Sequence, residues 1–306
     1  MLKNIYRSYA RRSGASRIAF RDEETKKHKL FLSVGAMKAS TSWMFQVLAN
    51  HPNIKFSLQK ELHYFAYKYG VTELLSDQAR IGTAQTVLNF HDENDIGLLR
   101  WKADWVSNYL KPPTNDGWFL DLFEKSAHDC YLADFSNLTC FIDETAWQDI
   151  LSNFLTVKVL YTMRNPMERL WSHAKFHITF SSQGQDSITN WQPRDIEKLL
   201  RKDFMWKSAE YSKTVKRLMQ CLPEKNLKIS FCDDIYIDEC DWLKQLEDFL
   251  DLPNQTYSKE VVKTKINVSE KSKMPDWFIS AFAKDVENIQ SELVKLGLEL
   301  PEGWRL

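Results

Sequence analysis

The sequence predicts an α/β fold of three layers, a central parallel sheet flanked by helices. Two observations carry this prediction. Short unbroken apolar runs of strand length recur along the chain, and segments with apolar residues at three- and four-residue spacing follow them. Length and composition agree: 306 residues with 43% hydrophobic and 27% charged side chains can bury a large core. The expected organisation is a basic arm over residues 1–28 and one domain over 29–306, with a helical insertion around 66–130.

Leu30-Phe31-Leu32-Ser33-Val34-Gly35 reads as a buried strand ended by glycine. A helix follows from Thr41 to Ala49, with Trp43, Met44, Val47 and Leu48 on one face and His51-Pro52 as its stop. Ile54-Lys55-Phe56 is a second short strand. Trp101 and Trp105, one turn apart on a helix predicted over Glu93–Leu110, fit core packing. Phe180 to Asn190 is polar and reads as a mobile loop able to close over a ligand. Lys158 to Met163 is a further strand, after which Asn165 can cap a helix, Pro166 suits its first position and Glu168 can reach back in a capping box. Leu227 to Phe231 is the fourth predicted strand. Asp238 opens a helix bearing Trp242, Leu243, Leu246 and Phe249. The last helix runs from Pro275 through Phe278, Phe282, Val286, Ile289, Leu293 and Leu296, with Gly297 as its C-cap.

The 41 Lys+Arg balance the 41 Asp+Glu, which excludes a general nucleic-acid binder because such a protein needs a surplus of cations. A small basic pocket for one nucleotide stays compatible with neutrality. No apolar run is long enough to span a membrane, and no apolar signal core precedes Lys29. Lys3, Arg7, Arg11, Arg12, Arg17 and Arg21 form an acid-free stretch suited to an anionic acceptor or membrane surface, or to solvent. The five cysteines are odd in number and lack a Cys-x-x-Cys pair, so a reducing, cytoplasmic setting is expected, with no zinc site.

Between the first strand and its helix, Lys38-Ala39-Ser40-Thr41-Ser42-Trp43 offers a cation, helix-start amides and three hydroxyls, the groups that bind a phosphate. It is not the ATP and GTP loop, which requires Gly immediately before its Lys. The segment resembles the Lys-x-Gly-Thr-Thr-x loop of sulfotransferases that use 3′-phosphoadenosine 5′-phosphosulfate. Arg164-Asn165-Pro166-Met167-Glu168-Arg169-Leu170-Trp171-Ser172 is similar to that family's Arg-Asp-Pro-x-Glu-Arg-x-x-Ser segment. The resemblance implies a P-loop-like sulfotransferase fold. It implies that Lys38 and Ala39 to Ser42 hold the 5′-phosphosulfate, Arg164 and Ser172 the 3′-phosphate, and Trp43 the adenine ring. Tyr211, in Ser208-Ala209-Glu210-Tyr211, resembles the tyrosine on the helix that often follows, which implies a further donor-binding contact there. Asp233-Asp234-Ile235 and Asn267 to Trp304 resemble the family's acidic turn and closing segment.

Lys60-Glu61-Leu62-His63-Tyr64-Phe65 resembles the Lys-Glu-Pro-His-Phe-Phe segment of heparan sulfate glucosaminyl sulfotransferases, which implies Glu61 as base with His63 beside it. Alternation after the preceding strand predicts both on one side. The implied reaction is metal-independent sulfuryl transfer to a hydroxyl or amine, releasing 3′-phosphoadenosine 5′-phosphate. A carbohydrate is the first acceptor expected, with a lipid or small metabolite as alternatives. Two residues depart from the family pattern: Ser40 replaces its Gly, and Ala66 replaces an acid of the heparan enzymes. The rival readings are a nucleotide-dependent kinase, which would need Mg²⁺, and a nucleotide-binding module without turnover.

Overall fold

The computed structural model describes residues 25–89, 95–123, 129–264 and 272–304. The six cations of the basic arm, the first two positions of the helix predicted from Glu93, and Asn267 of the closing segment lie outside these residues.

Five strands form the sheet: β1 (Lys29–Ser33), β2 (Ile54–Phe56), β3 (Tyr131–Asp134), β4 (Thr156–Met163) and β5 (Leu227–Phe231), in the order β2-β3-β1-β4-β5. The sheet is parallel and flanked by helices, the three-layer α/β architecture. Leu32 of β1 aligns with Asp134 of β3, and Phe56 of β2 with Ala133. Seven of the eight residues of β4 and all four of β3 are buried, as expected where helices cover both faces. Strand β3 alone is not predicted from sequence. A four-residue run containing Ala133 and ending on Asp134 has weak strand propensity, and its pairing with β1 and β2 makes it a strand. The strand order reverses at β1, so the loop leaving β1 occupies the position where such sheets bind ligands.

The principal helices are α1 (Thr41–Leu48), α2 (Tyr64–Lys68), α3 (Asp77–Leu88), α4 (Ile96–Leu110), α5 (Asp116–Leu120), α6 (Glu144–Asn153), α7 (Pro166–Ser181), α8 (Pro193–Leu200), α9 (Tyr211–Cys221), α10 (Cys232–Ile237), α11 (Glu239–Phe249) and α12 (Asp276–Lys295). Asp95 caps α4 through Gly97 and Leu98, and Asp238 caps α11 through Cys240 and Asp241. No described helix is long and apolar enough to cross a membrane.

Two compact units divide the chain. One takes in the chain to Val34 and Phe45–Val159, the other Gly35–Met44 and Leu160 onward. The first is built on aromatic packing: Tyr64 stacks on Phe119 with centroids 5.2 Å apart, and Trp105 stacks on Tyr109 at 4.6 Å. Trp105 Nε1 donates to Ser57 Oγ at 2.9 Å, which satisfies its polar atom in the core. The Trp101 and Trp105 pair is therefore core, both rings being buried.

The second unit packs α7 against α12. Trp171 meets Phe278 at 4.9 Å and Phe278 meets Phe282 at 4.8 Å, while Val286 and Ile178 fill the same cluster. Gly297, in left-handed conformation with φ of 87°, ends α12 as predicted. The 180–190 segment differs from the expected open loop. Phe180 belongs to α7, and beyond it the Asp186 carboxylate accepts from Asn190 Nδ2 and Trp191 Nε1 while the Asp186 amide donates to Ser182 Oγ. A short carboxylate organises the turn from within, an arrangement that its polar composition conceals.

Candidate active site

The loop from Gly35 to Ser40 is pinned at its entrance to β4: Ala36 N donates to Thr162 O at 2.6 Å and Thr162 N to Gly35 O at 2.9 Å. Gly35 has φ of 134°, and a Cβ there would meet the Tyr161 ring at 3.0 Å, so both conformation and space demand glycine. Lys38 (φ 68°) and Ser40 (φ 59°) are also left-handed, at about 1–2 kcal/mol each for residues with a Cβ. Ser40 thus adopts a conformation that glycine would take without strain. Its hydroxyl lies 3.0 Å from Tyr236 Oη, a contact glycine cannot make. Within the turn the Ala39 amide donates back to Ala36 O at 3.2 Å, and α1 begins at Thr41, followed by Ser42.

Beneath this loop lies a residue to which no sequence motif assigns a role. Arg169 is fully buried, and its Nε donates to Met37 O at 3.3 Å. Its sequence signal is its place in the Arg164–Ser172 motif, yet burial of a guanidinium under a loop 132 residues upstream leaves no local pattern. Lys38 Nζ sits over the Phe176 ring at 4.3 Å, and Phe176 stacks with Phe180 at 5.5 Å. Phe180 is 71% exposed, so the stack presents an open aromatic face. His173, one turn after Arg169, is pushed down to about 2 by burial, with Arg169, His177 and Lys38 adding to the effect, and it stays neutral.

Arg164 leaves the end of β4. Its Nε and Nη2 donate to Glu168 Oε2 at 3.0 and 2.9 Å. Burial opposes its charge, but Glu168 outweighs burial and holds the proton more firmly than usual. Asn165 Oδ1 caps α7 by accepting from Met167 N and Glu168 N, as expected, and Asn165 Nδ2 donates to Gly303 O. The predicted reach-back of Glu168 is replaced by its pairing with Arg164, because a guanidinium one turn away is a stronger partner than a neutral amide. Ser172 is buried two turns into α7. Tyr211, at the start of α9, is buried and donates its hydroxyl to Arg164 O at 3.0 Å. Trp43 is half-buried, donating Nε1 to Val262 O at 2.8 Å and meeting Trp242 edge-on at 6.0 Å. Asp233, in α10, accepts from Trp304 Nε1 at 2.9 Å.

In the first unit the turn after β2 carries a second cluster. Glu61 Oε1 pairs with Lys60 Nζ at 2.8 Å, and Glu61 Oε2 lies 3.4 Å from His63 Nε2. The two side chains meet, although not by strand alternation. His63 is left-handed with φ of 56°, and this turn brings its ring back toward Glu61. Burial opposes ionisation of Glu61, but His63 and Lys60 together overcome it and hold the carboxyl at about 2. Glu61 is therefore charged throughout the neutral range. Tyr64 and Tyr69 beyond it donate to Asp116 and Asp149, which Lys68 bridges at 3.0 Å from each. Among the described residues no group of three or more His, Cys, Asp and Glu is arranged to hold a metal.

No family model and no curated protein matches the chain. Solved structures do. A sulfotransferase from Alicyclobacillus acidocaldarius aligns with a TM-score of 0.62 and 17% identity over 91% of this chain and 99% of that one. A sulfotransferase domain from the curacin biosynthetic pathway aligns with a TM-score of 0.52 and 14% identity, over 90% and 99% respectively. The chain has the fold of these sulfotransferases.

Proposed function

We propose that the chain transfers a sulfuryl group from 3′-phosphoadenosine 5′-phosphosulfate to a hydroxyl or amine. The observation that carries the proposal is the loop after β1. Lys38 and Ser40 are held there in strained conformation at the reversal point of the sheet, over the buried Arg169. Strain of this kind persists where the surrounding structure imposes it, and it turns backbone amides toward a ligand. The residues fit a nucleotide phosphorylated at both ends: Lys38 with the start of α1 for one phosphate, Arg164 with Ser172 for the other. Trp43 offers a half-buried ring for the adenine. Tyr211 acts on Arg164 through its carbonyl and so fixes where the guanidinium begins.

The donor supplies a sulfuryl group on a phosphate leaving group. The acceptor oxygen or nitrogen bonds to sulfur as the bond from sulfur to the bridging oxygen breaks, and the electron pair departs on the phosphate. Lys38 and the α1 amides stabilise that charge. Glu61 and His63 take the acceptor's proton: the ionised carboxylate orients the imidazole, and the pair shares the proton. No step in this scheme calls for a metal ion. A flat-faced acceptor, a sugar ring first and a lipid or small metabolite next, suits the open Phe176 and Phe180 stack. An odd number of cysteines, five, without a Cys-x-x-Cys pair fits a reducing, cytoplasmic setting.

Transfer of labelled sulfate from the donor to a panel of sugar, lipid and phenolic acceptors tests the proposal, with EDTA expected to leave the rate unchanged. Glu61→Gln should retain donor binding while turnover drops by about 100-fold or more. Full turnover in that variant would remove Glu61 from the reaction.

A further inference from the structure

The turn that joins Glu61 to His63 is held from residues 134–136. The Leu62 amide donates to Asp134 Oδ1 at 3.0 Å and the His63 amide to Ser136 Oγ at 2.8 Å. Ser136 Oγ in turn lies 2.8 Å from each Asp134 oxygen. Phe135 N donates to Lys60 O at 3.3 Å, so residues 134–136 run against residues 60–63 as a clamp. Asp134 is the last residue of β3, fixed in register with Leu32, and both Asp134 and Ser136 are 1% exposed.

A buried carboxylate is expensive, and an apolar residue would serve the core better. What Asp134 receives in return is the Leu62 amide directly and the Ser136 hydroxyl, whose oxygen in turn accepts from the His63 amide. Those amides set the left-handed φ at His63, without which its ring would leave Glu61 Oε2. We infer that Asp134 and Ser136 are positioning residues of the Glu61–His63 pair, acting through the Leu62 and His63 amides without touching either reactive side chain. The inference rests on the assignment of Glu61 and His63 as the proton-handling pair.

The decisive variants of the full chain are Ser136→Ala, which removes the acceptor of the His63 amide, and Ser136→Thr, which keeps a hydroxyl. In Ser136→Ala, turnover is expected to fall by about tenfold or more with donor-nucleotide affinity unchanged, and Ser136→Thr to restore it to within about twofold. Imidazole NMR of histidine-labelled protein gives a readout independent of activity. His63 in the unmodified chain should show one tautomer fixed by Glu61, and in Ser136→Ala an exchange-averaged signal. If Ser136→Ala does not fold, the shape-conserving Asp134→Asn is read in the same two ways. Unchanged turnover with an unchanged His63 signal would overturn the inference. So would parallel losses of turnover and donor affinity, which mark general loosening. A chain that transfers no sulfuryl group would defeat the functional proposal, while the His63 signal would still decide the role of the clamp.

Discussion

At the scale of single residues, two neighbouring carboxylates of the first unit, Asp134 and Glu61, are shifted in opposite directions. Burial pushes Asp134 up to about 6, assisted by the charge of Glu61, against the Leu62 amide, Ser136 and His63. An acid whose folded pKa exceeds its unfolded value keeps its proton longer in the native state, so the stability it contributes at low pH is lost as pH rises through that window. Asp134→Asn should therefore gain on the unmodified protein between pH 4 and pH 7, by up to about 3 kcal/mol. Glu61, held at about 2, contributes in full only above its ordinary carboxylate range and loses part of that contribution toward pH 4, a change common to both proteins. Urea unfolding at the two pH values measures the gap, and an equal gap at both would show that Asp134 does not titrate there. Residues such as Lys38 and Arg164 were legible because each sits in a short linear pattern. Asp134, Ser136 and Arg169 were not, because their partners are backbone groups at Leu62, His63 and Met37, distant in sequence.

At the scale of elements, legibility followed periodicity. The closing helix α12 carries its apolar residues at spacings of three and four, and Phe278, Phe282, Val286, Ile289 and Leu293 are all buried as that spacing requires. Strand β3, short and ending on a charge, offered no period to detect. The weight carried by α12 can be measured directly. Phe282 is wholly buried against Phe278 and packs toward Trp206, so Phe282→Ala should destabilise the protein by about 3–5 kcal/mol in urea unfolding. A loss below about 1 kcal/mol would mean that the neighbouring rings collapse into the cavity. The left-handed residues at Lys38, Ser40 and His63 mark the opposite case, in which local preference is overridden by hydrogen bonds from elsewhere.

For the molecule as a whole, the equality of 41 cations and 41 anions coexists with Lys38 on the loop after β1 and Arg169 buried beneath that loop. Donor product should therefore act on global stability. At about 100 times its dissociation constant, 3′-phosphoadenosine 5′-phosphate adds roughly 2.7 kcal/mol, which for a chain of this length raises the melting midpoint by about 4 °C. Arg164→Ala should reduce that shift toward the one given by a nucleotide without the 3′-phosphate. A larger shift with ATP and Mg²⁺ would favour a kinase. The resting position of Lys38 bears on the sequence of binding events. Its ammonium rests against the face of Phe176. On the proposed reading, a phosphate that draws Lys38 away uncovers that ring for the acceptor, so product-inhibition kinetics are expected to be ordered, with the nucleotide leading and the acceptor following.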